Sequence, residues 1–233
     1  MSAVYLIPSL LDEEGLDAIP TYIIAAIKDC QVFFAENERT TRRFFKQLWK
    51  EMVIDNYEWH NMDDAATAAQ SFKKAIKGKK NIGIISEAGC PGVADPGQPL
   101  AAIAQEMNYT IKPLVGPSSI LLALMASGMN GQQFQFVGYL PIDNQQRIKT
   151  IKALETESFK KSCTQIFIET PYRNNQLLEA ILKNCAPSTK LCLAVNITGK
   201  NEWIKTKTIV EWNKEKTDIH KRPAIFLLYS SAD

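Results

Sequence analysis

Asn81 to Ser119 reads NIGIISEAGCPGVADPGQPLAAIAQEMNYTIKPLVGPSS, and the succession of textures inside it decides the fold class. Ile82 to Ile85 is an apolar run of the length of a buried strand. It ends in Gly89-Cys90-Pro91-Gly92 and then Asp95-Pro96-Gly97. Two Pro/Gly breaks this close exclude helix and ladder alike, so a rigid loop leaves the end of the strand. The pattern then predicts a helix over 98–107, a strand from Thr110 to Val115 and a tight loop, Gly116-Pro117-Ser118-Ser119. An apolar helix from Ile120 to Met129 follows under a serine cap. Two consecutive strands thus end in Gly/Pro/Ser loops. In open α/β sheets ligands sit beyond the carboxyl ends of the strands, and the active site is expected there.

Upstream, strands are expected at Val4 to Pro8, Val32 to Ala35 and Val53 to Trp59. Helices are expected at Ile19 to Lys28, Thr40 to Trp49 and Asp63 to Lys77. This alternation argues for a parallel sheet with helices on both faces. Phe44, Phe45, Leu48 and Trp49 take the inward positions of their helix. Downstream, strands at Phe134 to Leu140 and Thr164 to Glu169 flank a polar helix, Asp143 to Lys161, and a further helix runs to Leu182. Lys190 to Ile197, Trp203 to Glu211 and Ala224 to Tyr229 follow without room for helices, so part of this sheet is expected to be antiparallel. The fold class is therefore two α/β domains, 1–115 with a mostly parallel sheet and 116–233 with a mixed one.

Composition narrows the function. The 233 residues are 45% hydrophobic and 22% charged, with a net charge of +2, as in an ordinary globular protein without a global field for nucleic acid. The N-terminus lacks a basic n-region and reaches three acids by Glu14, and the longest apolar run, Ile120 to Ala126, is too short to cross a bilayer. Five widely spaced cysteines with no C-x-x-C, and only two histidines, disfavour a disulfide framework or a metal site and suit a reducing cytoplasm. Cys90 alone lies in a loop; the others sit in or beside apolar runs. G-x-G-x-x-G and G-x-x-x-x-G-K-[ST] are both absent, which disfavours a dinucleotide dehydrogenase or a P-loop enzyme. Arg39, Arg42, Arg43 and Lys46 form a basic cluster able to follow a nucleic-acid backbone, partly neutralised by Glu36, Glu38 and Glu51.

Ser86–Gly97, S-E-A-G-C-P-G-V-A-D-P-G, resembles the S-D-A-G-T-P-G-I-S-D-P-G signature of the bacterial ribosomal small-subunit methyltransferase I family, a branch of the tetrapyrrole (class III) methylases. The likeness continues through L-V-G-P-S-S (Leu114–Ser119), A-L-M-A-S-G (Ala123–Gly128) and F-V-G-Y-L-P (Phe136–Pro141). A-E-N-E-R-T-T-R-R (Ala35–Arg43) is similar to A-E-D-T-R-x-T-R, and I-E-T-P-Y-R (Ile168–Arg173) to Y-E-S-P-H-R. The resemblance implies two α/β domains with S-adenosylmethionine in the cleft between them, a homodimer, and small-subunit ribosomal RNA as partner. Carried over by motif, Pro8, Gly89, Cys90, Pro91, Val93, Ser118, Ser119, Tyr139 and Leu140 would approach the cofactor, with Ala194, Pro223 and Ala224 as weaker candidates.

Glu36 and Glu169 fall at predicted strand ends and are candidates to receive a proton from an acceptor hydroxyl. Arg39 and Arg173 are their candidate partners for phosphate or carboxylate. Three departures stand out. Ile7-Pro8-Ser9-Leu10-Leu11 lacks the Gly-Asn of T-P-I-G-N-L, Asn196-Ile197-Thr198-Gly199-Lys200 replaces R-E-L-T-K, and the sequence ends at Asp233, short of the family's C-terminal segment. The expected activity is methyl transfer to a ribose 2′-hydroxyl of small-subunit RNA. The alternatives are a tetrapyrrole-like acceptor, or a protein that binds cofactor or RNA without turnover.

Overall fold

The computed structural model describes residues 2–231. The chain divides into two compact units between Ser118 and Ser119. In the first, β1 (Ala3–Leu6), β2 (Val32–Ala35), β3 (Glu58–Asn61), β4 (Ile82–Ile85) and β5 (Thr110–Pro113) form one sheet in the order β3-β2-β4-β1-β5. Every pairing is parallel. β2 and β4 are buried at every residue, as central strands covered on both faces must be, and this is why both read as unbroken apolar runs. α1 (Ile23–Asp29), α2 (Glu38–Leu48), α3 (Ala65–Lys77) and α4 (Gln98–Glu106) supply the connections. Tyr5, Ile7, Phe33, Phe45 and Ile85 share one core cluster, while Val4, Phe34, Phe72, Ile84 and Leu100 share another.

From β1 the chain moves across the sheet toward β2, and from its neighbour β4 it moves the opposite way toward β5. The two connections pass each other, and right-handed crossovers in opposite directions lie on opposite faces of the sheet, which leaves the carboxyl ends of these adjacent strands open to a ligand. Gly83 leaves room for the ring of its register partner Phe33, since a Cβ there would lie 2.5 Å from that ring.

The second unit carries β6 (Phe134–Tyr139), β7 (Thr164–Ile168), β8 (Lys190–Val195), β9 (Trp203–Thr208) and β10 (Ala224–Tyr229) in the order β6-β7-β10-β8-β9. Only β6 and β7 run parallel; the rest is antiparallel. α5 (Ser119–Ser127) packs on β8, β9 and β10. α6 (Asn144–Lys161), α7 (Asn174–Asn184) and the short α8 (Ile209–Trp212) enclose Phe167, Leu177, Ile181, Leu193, Trp212 and Phe226. Edge strand β6 is interrupted by a register shift between Phe136 and Tyr139, where Gly138 takes φ +72°.

Several elements differ from expectation. Val53 to Trp59 is not a strand: Ile54–Asn56 forms a 3-10 turn, and the strand begins at Glu58, where pairing with Val32 starts. The first helix begins at Ile23 rather than Ile19, because Pro20 and Thr21 serve as acceptors for its first turn. The run expected from Trp203 to Glu211 ends at Thr208, whose side chain and Glu211 form a reciprocal capping box that opens α8.

Candidate cofactor and catalytic site

In the first unit, the loop after β4 is shaped by its backbone. Ser9 N–H donates to Gly89 O at 2.8 Å, tying the loop after β1 to the loop after β4. Gly89 has φ +68°, and a Cβ there would press on Leu11 at 3.2 Å. Cys90 Sγ lies 3.6 Å from Pro117 O, so the Gly116-Pro117 loop adjoins it. Gly116 packs so closely on Pro8 that a Cβ would fall 2.1 Å from the Pro8 Cβ. Left-handed backbone at Gly92, Ala94 and Gly97 then carries the loop into α4, where a proline stands in the first turn. Pro8, Gly89 and Cys90 are thus brought together with Pro117. Pro91 is buried, and Val93 is exposed.

Three carboxylates meet here, Glu87 and Asp95 from this loop and Glu36 from the end of β2. Glu36 follows β2, and its Oε2 accepts from Glu87 N–H at 2.8 Å. Glu87 Oε1 accepts from the Thr40 hydroxyl at 3.4 Å. Asp95 is pushed up to about 6, chiefly by burial and then by the charges of Glu36 and Glu87. Asn37 caps α2 by accepting from the N–H groups of Arg39 and Thr40. The basic cluster of α2 divides in two. Arg42 pairs with Glu38 at 2.7 Å and stacks over Trp59, and Lys46 caps the Lys50 and Met52 carbonyls. The guanidinium groups of Arg39 and Arg43 have no partner among the described residues. Arg43 lines a cavity of about 210 Å³ with Leu10, Leu11, Thr40, Phe44 and Glu87.

In the second unit, one end of the sheet, across four neighbouring strands, collects the remaining candidates. Tyr139 pairs with Ile168, Ile168 with Ile225, and Ile225 with Ala194. Asn196 N–H donates to Pro223 O. Tyr139 is exposed, while Leu140 is buried in the core, so only the backbone of Leu140 can meet a ligand. Glu169, with no exposed side-chain surface, accepts on Oε1 from Arg173 Nη2 at 2.6 Å, from Arg173 Nε at 3.0 Å and from Thr170 N–H at 2.6 Å. Its Oε2 has no partner, nor has Asn174 Oδ1. Asn174 Nδ2 donates to Arg222 O. With the Asn196 amide turned so that its oxygen faces the guanidinium, that oxygen accepts from Arg222 Nε at 3.2 Å and Nη2 at 3.1 Å, so the residue matched to the Arg of R-E-L-T-K is itself held by an arginine.

The sequence pattern of the tetrapyrrole (corrin/porphyrin) methylases matches residues 15–212. The chain belongs to this family. It is a methylase that uses S-adenosylmethionine as methyl donor. Curated relatives include ribosomal RNA small subunit methyltransferase I of Mesorhizobium japonicum, 30% identical over 89% of this chain and 67% of the relative. The protein of the same name from Bacillus subtilis is 29% identical over 91% and 69%. Among solved structures, the methyltransferase CobJ has a TM-score of 0.63 at 16% identity, covering 99% of this chain and 95% of CobJ. Uroporphyrin-III-C-methyltransferase of Thermus thermophilus has 0.58 at 16%, covering 98% and 94%. At such identity the two structures establish fold alone.

The methylase's own residues suit that cofactor. The N–H groups of Cys90, Ala94 and Asp95 make no hydrogen bond among the described residues, so the loop offers donors beside glycines that leave room for close approach. The hydroxyls of Ser118 and Ser119 are likewise uncommitted. No group of side chains able to hold a metal ion occurs, and no helix is long and apolar enough to cross a membrane, among the described residues. Sequence reasoning missed Glu87, Asp95 and Asn174. The signal for Asp95 was its place inside the Asp-Pro-Gly break, and for Asn174 its position directly after Arg173.

Proposed function

We propose that this methylase transfers a methyl group to a ribose 2′-hydroxyl of small-subunit ribosomal RNA. The observation that carries this reading is its likeness, along nine-tenths of its length, to relatives named ribosomal RNA small subunit methyltransferase I. When bound, the cofactor supplies a methyl already activated by a sulfonium. The protein's task is then to align the acceptor oxygen and exclude water. That methyl would pass to the acceptor oxygen, with the departing sulfur keeping the electron pair, and the hydroxyl proton would have to be taken up by the protein. Glu36 is the proposed recipient of that proton, positioned by Glu87 N–H.

Pro8, Gly89, Cys90, Pro91, Val93 and Ser118 are the proposed cofactor contacts of the first unit. Ser119, Tyr139, Leu140, Ala194, Pro223 and Ala224 are those of the second. Arg39 is the proposed contact for an RNA phosphate, with Arg43 beside it. Glu169 and Arg173 are proposed to take part through the unpartnered Oε2, which would accept from a bound N–H or O–H. Incubation with tritiated cofactor and unmodified small subunits or their RNA is expected to label the RNA, with the label resistant to alkali between two adjacent nucleotides. Transfer to a tetrapyrrole and to neither RNA nor subunits overturns the RNA acceptor.

A further inference from the structure

α6 carries a feature unused by the chemistry above. Lys149, Lys152, Thr156 and Lys160 are all exposed, and at 100° per residue they fall in a strip roughly 80° wide and about 16 Å long. The acids of this helix do not neutralise it. Glu155 turns away to accept from Ala186 N–H at 2.7 Å and from the Thr189 hydroxyl. Glu157 is engaged by Lys161 at 2.6 Å. Lys149, Lys152 and Lys160 have no ion-pair or hydrogen-bond partner among the described residues. A shallow depression lined by Lys152, Ala153, Thr156, Lys160 and the Glu157–Lys161 pair runs along the strip. Phe159, seven residues after Lys152, stands on its flank with 53% of its surface exposed, at a position where the core has no use for it.

We infer that this face of α6 is a docking surface for single-stranded RNA, the three lysines meeting phosphates and Phe159 stacking on a base. The inference rests on RNA being the acceptor. Cations in line with an exposed aromatic are the combination single strands require, because unpaired bases stack on a ring that a duplex cannot reach. An anionic bilayer fits less well. Ile151 and Leu154, the apolar face such a helix would insert, are buried in the core of the unit.

The test is fluorescence anisotropy of a labelled single-stranded RNA oligonucleotide across a salt series. The variants are Lys149→Gln/Lys152→Gln/Lys160→Gln and Phe159→Ala, with S-adenosylhomocysteine calorimetry on the same preparations to certify their folding. Removing three phosphate contacts is expected to flatten the slope of log affinity against log salt by about 2, with cofactor affinity unchanged. Phe159→Ala is expected to weaken single-strand binding by roughly five- to a hundredfold at constant slope. RNA binding by the parent with an unchanged slope in the triple variant overturns this surface and leaves the methyl-transfer reading standing. Equal affinity for a duplex of the same sequence overturns the single-strand assignment. Lysine-dependent binding to phosphatidylserine vesicles in place of RNA overturns the partner. Cofactor binding with no RNA binding by the parent removes the RNA acceptor and this surface together.

Discussion

The two units place their candidate groups at strand ends by different means. In the first, shape comes from backbone: left-handed glycines, prolines, and a Gly116–Pro8 contact with no room for one carbon atom. In the second it comes from side chains, a buried carboxylate held three ways on one oxygen and a web linking Asn174, Arg222 and Asn196. Backbone that is preset costs little reorganisation when a ligand arrives. A buried charge pair holds only while every partner is present. The first unit should therefore fail by steric change and the second by loss of charge.

The largest effect is expected at Arg173. Arg173→Met strands the Glu169 carboxylate in the interior and should cost about 3–5 kcal/mol of stability, read as a lowered denaturant midpoint. Glu169→Gln/Arg173→Met should recover much of that loss; a double variant as unstable as the single would mean packing, not charge, holds the site. Next, Glu36→Gln should keep cofactor affinity yet slow transfer by roughly 10²-fold, checked by single-turnover labelling of RNA. An unchanged rate would remove the carboxylate from the chemistry and leave the first unit a purely backbone-built site.

Gly116→Ala should cost about 1–3 kcal/mol through overpacking against Pro8 and weaken S-adenosylhomocysteine binding at least tenfold by calorimetry. Retained binding would separate the Pro8 contact from the cofactor. The smallest effect is at Asp95. Its folded carboxyl holds a proton up to about pH 6 against an ordinary value of 3.8, so the folded state is favoured below about pH 4 and loses that advantage as pH rises through 6. Asp95→Asn should consequently raise the melting temperature at pH 8 by about 2 °C and lower or leave it at pH 4. The same shift at both pH values would deny any coupling to Glu36 and Glu87.

What the sequence disclosed follows the same division. β2, β4 and β10 were legible because burial on both faces leaves no polar residue to blur them. β3 was not, because its Glu-Trp-His-Asn sequence is half exposed and becomes a strand only by pairing with β2. α8 hid inside a strand-like run, betrayed only by the Thr208-x-x-Glu211 box. The glycines and prolines of the first site announce themselves, since each encodes a local conformation. Glu36 lies far in sequence from the loop that carries Glu87 and Asp95, and the β2–β4 register, Ala35 opposite Ile85, is what brings it to them. No local signal reveals that Glu169 keeps one oxygen unpartnered.

The interruption of β6 bears on how the protein survives at high concentration. A free sheet edge recruits other chains, and a long flat one seeds fibrils. The register shift at Gly138 shortens the run of open ladder groups on that border, and β9 at the opposite border carries the exposed Lys205, while Lys207 is paired with Glu215. A second copy arriving edge to edge finds a bent rail on one side and a charged one on the other. Replacing Gly138 by a β-branched residue that straightened the strand would open the first of these borders to aggregation before it touched any reacting group.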